Sequence, residues 1–595
     1  MSLLLTKGTQ LEPEYINAPL NKPFFVAISF LFLITMHLFQ PNPGGSGLNL
    51  TFNSASWIPL SIAIAIGLYH TAKQKLLRYS KFTVGLFAVC LMLTLPLMFS
   101  DAILSIATPR LIALWAGFFF FVTLQQFTFS NRQKQQLLWL VVLAVCIESL
   151  LGYVQFLLLK PSNFLGYNTI INRPYGIFQQ PNVMASFLAT GLAIASYLLA
   201  RQPIKYDRHP FSLLMLLLTI ISTIPLIVVL ASRTGWLSSI LVLLMITPYM
   251  WRFTNKRRFC LWVSALLIGL CSSIALVQYS QLNIEAKGDG FTEQTLLHKS
   301  NLQSSRSYIY PQALDMILEK PLTGYGYGRF ESEYTLYTAK QHNLNTNYHP
   351  GLPALDHPHN ELLFWAVEGG VVPILGLLLA FGLIVNRIMK TQRYTRLAIL
   401  ALFIPIAIHT QLEYPFYHSV PHWVTFILLL FWLDQLSCKR RKISITPPTM
   451  VSLRLLSLII PISVSYYMFS VIHTNEVLTR FETTKPVQPD ILFEVTNSNF
   501  WQDRFNWNIY STQLKIGIQQ NKPELIQPYI DWSEALIKSK PRPAFYKNLI
   551  IAYEGLGKVS QAEDIRAEAS YLFPLDDFSE VHLKKTASSS AVNTK

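Results

Sequence analysis

What most limits how this chain can fold is a succession of about 13 apolar runs, each near the length that crosses a lipid bilayer. They lie near 24–39, 55–70, 82–99, 110–127, 137–159, 183–200, 211–230, 235–250, 260–278, 361–385, 397–412, 419–436 and 453–471. Inside a bilayer a spanning segment must satisfy its own backbone hydrogen bonds, and a helix does so within one segment. The runs therefore predict an all-α fold, a polytopic membrane helical bundle. Charged residues are only 13% of the 595, which excludes an ordinary soluble enzyme.

A net charge of +16 raises nucleic acid as a partner, but the positions of the basic residues argue against it. Lys73, Lys75, Arg78 and Lys81 follow the second run; Arg132 and Lys134 the fourth; Arg201, Lys205 and Arg208 the sixth. Arg252, Lys256, Arg257 and Arg258 follow the eighth, Arg387, Lys390, Arg393 and Arg396 the tenth, and Lys439 to Lys442 the twelfth. Basic loops stay in the cytoplasm, so every even-numbered exit is expected there. The first run lacks a small-residue cleavage site and leads into Pro41-Asn42-Pro43-Gly44-Gly45, which fits an uncleaved first span with a cytoplasmic N-terminus. Residues 279–360 and 472–595 then fall outside the cytoplasm. Five cysteines lie in or beside apolar runs and none in these two outer segments, so no disulfide framework or thiolate metal site is implied.

The expected organisation is an N-terminal group of transmembrane helices (1–160), a core with the large outer loop (161–436, loop 279–360), a last span (437–471), an outer helical domain (472–585) and a disordered Ser/Ala-rich tail (586–595).

Odd-numbered exits carry almost no Lys or Arg; Lys160, Arg173 and Arg233 are the exceptions. Each arginine placed against the topology bias fits either a phospholipid headgroup or a functional site. Four outer segments carry polar groups at membrane depth: Arg173 to Asn182 with Gln180, Ser232-Arg233-Thr234, Ser305-Arg306-Ser307, and Asp356-His357-Pro358-His359-Asn360-Glu361. A lone His at a helix start is ordinarily a cap or an interfacial hydrogen-bonding group; here it belongs to a cluster. His342, His349, His357 and His359 are irregularly spaced and lack cysteine company, so no metal is expected. Gly324-x-Gly326-x-Gly328 follows a helix and Pro321 and lacks a downstream Lys-Ser/Thr, so it reads as a chain reversal. Glu148 and Gln155 are expected to face the bundle interior. Glu413 has two readings: it orients His359 or an arginine, or it pairs with His418.

Arginine forks pair bidentately with phosphate oxygens. Fixed cations stabilise the charge that a departing pyrophosphate develops, and a neutral imidazole accepts a proton from an attacking hydroxyl. Three arginines and a histidine on one membrane face thus suggest chemistry on a phosphorylated lipid.

In order, Arg173-x-x-Gly176-x-Phe178-x-x-Pro181-Asn182, Ser232-Arg233, Ser305-Arg306, Pro321-Leu322-x-Gly324-x-Gly326, His357-Pro358-His359-Asn360-Glu361-Leu362-Leu363, Glu368-Gly369-Gly370 and Leu412-Glu413-Tyr414-Pro415 resemble the bacterial O-antigen ligase and O-linked oligosaccharyltransferase family, most of all its protein O-glycosylating members. The resemblance covers roughly 160–430. It implies transfer of a glycan from undecaprenyl pyrophosphate to a hydroxyl on the periplasmic side of the inner membrane, with no cofactor. It assigns His359 as the catalytic base and Arg233, Arg306 and Arg173 as diphosphate ligands. Asn360, His357, Glu413, Gln180 and Asn182 are expected to support them. The expected acceptor is an exported protein, pilin-like or another periplasmic one; the alternatives are lipid A–core ligation or O-antigen polymerisation, and, in another class, a transporter or flippase. Two stretches, Pro523–Lys538 and Ala544–Leu572, have helical periodicity, and the second resembles a tetratricopeptide unit. An ordinary helical hairpin fits it as well. A helical-repeat module outside the membrane suits a protein acceptor.

Overall fold

A computed structural model describes residues 20–42, 47–98, 101–201, 210–285, 304–437 and 440–583. The expected tail 586–595, and with it Gly44, Gly45, Lys205, Arg208, Cys438 and Lys439, lies outside the described residues.

The chain is a helical membrane bundle. Its first helices are α1 (Asn21–Leu33), α2 (Thr51–Gln74), α3 (Lys81–Thr94), α4 (Leu104–Gln126), α5 (Asn131–Leu157), α6 (Pro181–Arg201), α7 (Pro210–Val229), α8 (Arg233–Phe253) and α9 (Lys256–Glu285). The outer loop contributes α10 (Arg306–Glu319), α11 (Phe330–Leu344) and α12 (Glu361–Gly369). Then come α13 (Val371–Met389), α14 (Arg396–Leu412), the short α15 (Pro415–His418), α16 (Val420–Ser437) and α17 (Pro447–Thr483). The C-terminal helices are α18 (Gln502–Gln520), α19 (Pro523–Ile537), α20 (Pro543–Gly555) and α21 (Val559–Leu572). Among the described residues, 11 helices are long and apolar enough to span a bilayer, and the shorter apolar Asn21–His37 and Val420–Leu436 coincide with the first and twelfth runs.

The exits sort into two ends. At one, strand β1 (Leu76–Tyr79) pairs antiparallel with β2 (Arg441–Ser444), tying the second exit to the twelfth. Arg440 donates to the carbonyls of Gln125 and Phe127 at the fourth, and Arg252 of the eighth lies over the Tyr394 ring of the tenth, 3.7 Å from its centre. At the other end Asn42 donates to Gln179, Gln40 to Ile472 O, Ile103 N to Tyr327 O, and Ser232 to Asn182. The basic exits thus share one end and the polar segments of the sequence share the other, labelled the outer end after the side expected from the basic loops.

Helix α6 is the axis. Its apolar stretch is entirely enclosed by protein, which its small residues permit: a Cβ at Gly191 would stand 2.4 Å from Val145. Because α6 starts at Pro181-Asn182, Asn182 emerges near the middle of the outer end.

Two elements differ from expectation. The run 361–385 is broken at Gly370, where φ is +68° and ψ −149°, a region essentially closed to other residues. A Cβ there would lie 2.3 Å from Leu322 O. The tenth span is therefore α13 alone, and α12 is apolar because Phe364, Trp365, Ala366 and Val367 bury against protein rather than lipid. The last run, expected to end at 471, continues in α17 to Thr483 without a break. Its outer turns bury Val477, Leu478 and Phe481 against Ile491, Leu492 and Trp501, so one helix serves both the membrane and the outer layer.

Helices α18 to α21 form two successive hairpins, α19 and α20 each opened by a proline at the first turn. Their core of Leu514, Ile526, Tyr529, Tyr546, Leu549 and Ala569 also takes in Ala339 of α11. Arg542 adds a two-pronged ion pair to Glu331, at 2.6 and 2.8 Å. The C-terminal hairpins are thereby fastened to the outer loop.

Gly370→Ala is expected to lower stability by about 2 kcal/mol or more, from strain and the Leu322 clash together. Gly382→Ala, with nothing within 4 Å of the added carbon, is expected to be neutral. Thermal unfolding of the two purified variants checks the contrast.

Candidate active site

The outer end converges on one carboxylate. Pro415 bars the preceding residue from the helical region, so α14 ends at Leu412, Glu413 is extended, and Tyr414 takes φ −129°, ψ 71°. The Glu413 side chain is thereby left among groups from three other segments. Oε1 accepts from Arg306 Nη2 at 2.7 Å and Asn182 Nδ2 at 3.1 Å. Oε2 faces His359 Nδ1 at 3.2 Å and accepts from Gln180 Nε2 at 3.5 Å. Burial by itself would push this carboxyl up. The hydrogen bond from His359 and the charges of His359 and Arg306 outweigh it and bring Glu413 down to about 2. Of its two sequence readings the geometry shows the first, with both partners at once. His418 instead meets Gln180 Oε1 at 2.5 Å.

An ionised carboxylate only accepts, so His359 Nδ1 carries a proton and donates it. In the neutral ring Nε2 is then a lone pair, and the His359 side chain is 27% exposed. Its backbone has φ +56°, a left-handed conformation that costs a non-glycine residue about 1–3 kcal/mol unless its surroundings impose it. They do: His359 N donates to His357 Nδ1 at 2.9 Å, and its carbonyl accepts from Tyr310 at 2.9 Å. Capping of α12 falls to Asn360, whose Oδ1 accepts from Leu363 N at 3.0 Å while Nδ2 donates to Gln411 O at 3.0 Å. Buried His357 packs its ring against Tyr414 (4.1 Å) and Phe364 (4.3 Å). Burial, then the charges of His359, Arg110 and His418, hold it well below the usual imidazole range, so Nδ1 stays an acceptor.

The arginines are placed unequally. Arg306 is 30% exposed and also donates through Nε to Leu412 O at 3.0 Å. Arg173 donates to Leu230 O and, at 3.5 Å, to Asn182 Oδ1. Ser232 Oγ donates to that same Asn182 oxygen at 2.8 Å and accepts from Gly235 N at the start of α8. Arg233 is the exposed first residue of α8, one position from this network. Asn182, Gln180, Glu413, His359, Arg306 and Arg173 thus form one connected group, with Asn360, His357 and Arg233 at its edge. His342, bonded to Tyr348 O, and His349, stacked on Tyr308, stand in the outer loop apart from it. Among the described residues no group of three or more His, Cys, Asp or Glu side chains is arranged to hold a metal ion.

Below this group, buried Glu148 meets His37 Nδ1 at 2.7 Å and accepts from Ile177 N at 3.0 Å. Gln155 accepts from the backbone of Tyr175 and Gly176. Both face the interior and shape the turn that presents Gln180. The three glycines of the reversal have positive φ. Tyr325 N and Gly326 N donate to the last carbonyls of α12, those of Val367 and Glu368. Sequence reading missed Arg110, whose signal was a lone cation at the outer end of an apolar run. It also missed Tyr310 and the chain from His409 to Ser186 to His422, at 2.6 and 2.9 Å.

Three family profiles match the chain: "Protein glycosylation ligase" over 174–199, "O-Antigen ligase" over 218–381, and "Virulence factor membrane-bound polymerase, C-terminal" over 397–588. The sequence is similar to the general O-oligosaccharyltransferase of Acinetobacter baylyi, 27% identical over 333 residues, 54% of each chain. It is also similar to the ComP-specific O-oligosaccharyltransferase of that organism, 24% identical over 298 residues, 48% of each. The matched region spans about half the length of these relatives. The chain thus resembles the O-antigen ligase and O-oligosaccharyltransferase family.

The depressed Glu413 carboxyl fixes a pH dependence. Its stabilising contribution is fully present above its ordinary value of 4.5 and is lost as pH falls through about 2. Unfolding temperatures of the native protein and of Glu413→Gln should differ by a constant amount above about pH 4.5 and draw together at lower pH; a gap that widens on acidification contradicts this.

Proposed function

We propose that this chain is an inner-membrane oligosaccharyltransferase that moves a glycan from undecaprenyl pyrophosphate to Ser or Thr hydroxyls of exported proteins. The observation that carries the reading is the His359–Glu413–Arg306 contact at the outer end of the bundle, where an imidazole held by a carboxylate stands beside a part-exposed guanidinium. In the proposed step the acceptor oxygen attacks the anomeric carbon of the lipid-linked sugar from the face opposite the diphosphate. Its proton passes to His359 Nε2. The bond from the anomeric carbon to phosphate oxygen breaks, the electron pair leaves with the diphosphate, and the configuration inverts. Glu413 keeps the ring in the accepting tautomer and stabilises the imidazolium that forms, as a carboxylate does beside a catalytic histidine. Arg306, Arg233 and Arg173 hold the diphosphate and neutralise its growing charge. The two Acinetobacter relatives and the helical hairpins fastened over the loop favour a protein acceptor.

The ligase and polymerase descriptions of the two longest profile matches keep a second acceptor class in view, a glycan on lipid A–core or on a growing polymer. Mass spectrometry of periplasmic proteins and lipopolysaccharide banding in a deletion strain separate the two: loss of protein glycosylation supports the first reading, loss of banding alone the second.

Purified protein with a lipid-linked oligosaccharide and a pilin-like acceptor tests the chemistry. His359→Ala is expected to lower kcat about 10²–10⁴-fold, the usual range for a general base, while the protein still binds donor. Arg306→Ala and Arg233→Ala are expected to raise the donor KM as well as lower kcat. A normally folded His359→Ala protein that transfers at the native rate removes the mechanism.

A further inference from the structure

Arg110 has no place in the proposed chemistry, yet it is buried in a membrane protein at the outer end of α4 with only 7% of its side chain exposed. Its Nη2 donates to Glu368 Oε2 at 2.7 Å, and Glu368 is 1% exposed. The guanidinium lies over the rings of Tyr327 (4.4 Å), Trp365 (4.4 Å) and Phe364 (4.7 Å). Glu368 Oε1 accepts from Gly328 N at 2.8 Å and Phe330 N at 3.3 Å. A single ion pair therefore ties three elements together: membrane helix α4, the glycine turn, and the end of α12. Taking two charges out of water costs several kcal/mol for each ion, and apolar residues of equal volume commonly give as much stability. Orientation is the property such a pair supplies that apolar packing does not.

What it orients can be traced. The Phe364 ring contacts both the Arg110 guanidinium, 4.7 Å away, and the His357 ring, 4.3 Å away. His357 Nδ1 accepts the backbone N–H of His359, the residue in the left-handed conformation. The Arg110 charge also opposes protonation of His357, which would abolish that acceptor. We infer that Arg110 and Glu368 are positioning residues that act through Phe364 and His357 to hold His359 with Nδ1 on Glu413. This role rests on the proposed function for its kinetic consequence but not for its structural one.

The test compares the native protein with Arg110→Lys, Glu368→Gln, His357→Gln and the Arg110→Lys/His357→Gln double variant. Each is purified as monodisperse full chain and assayed per mole of folded protein. Lys keeps the charge but not the flat stacking surface, and Gln keeps an acceptor for Gly328 N. The expected result is a kcat lowered about tenfold or more in each single variant, with donor KM within about twofold. The double variant should fall no further than its worse parent, because residues acting as one unit are not additive. Amide exchange over 356–363 should speed up in all of them. Unchanged kcat per folded molecule, a raised donor KM with kcat retained, multiplying effects in the double variant, or unchanged amide protection each overturn the inference. If the native protein transfers no glycan to any acceptor, the proposed function fails, and the exchange data alone still decide whether Arg110 and Glu368 position His359.

Discussion

Glu413 is the group on which the outer end of the bundle depends. Its four donors come from the turn before α6 and the first turn of α6, from α10 and from the loop before α12. A carboxylate this enclosed is stable only when its oxygens are occupied by hydrogen bonds and opposite charge. Each donor segment is consequently held at the same point. Withdrawing the carboxylate would leave Arg306, Asn182 and the His359 imidazole without the partner that now fixes their direction.

The surroundings share a second property: they impose backbone conformations the chain would not adopt alone. His359 is left-handed, Gln179 has φ +53°, and Ala231 has φ +47°. All three lie in or beside the segments that carry Gln180, Ser232 and the imidazole. Polar side chains hold these segments. Glu148 and Gln155 grip the 175–177 backbone, Asn182 holds Ser232, and His357 holds His359. Irregular backbone at membrane depth is tolerated where protein satisfies it. Here that satisfaction comes from side chains on α5, α6 and the pre-α12 loop.

The C-terminal hairpins and the outer loop behave as one layer above this end. Their shared core and the Arg542–Glu331 pair connect residues more than 200 positions apart. Helix α17 runs from the membrane into the same layer.

The sequence alone determined the class, a polytopic helical membrane bundle, and the grouping of polar segments at one end, because hydrophobic length and basic-residue placement act locally and need no knowledge of packing; of about 13 expected spans, 11 helices among the described residues are long and apolar enough to cross a bilayer. The ordered motifs between Arg173 and Pro415 also brought nearly every member of the polar group into view. Tertiary structure alone decided which of those residues touch. It gave Glu413 to His359 and Arg306 rather than to His418, and it assigned the cap to Asn360. It also broke the run 361–385 at Gly370, because the glycine's close approach to Leu322 depends on a turn some 50 residues away. Arg110 escaped notice for the same reason: one cation in an apolar run has no visible partner until Glu368, 258 positions later, is folded against it.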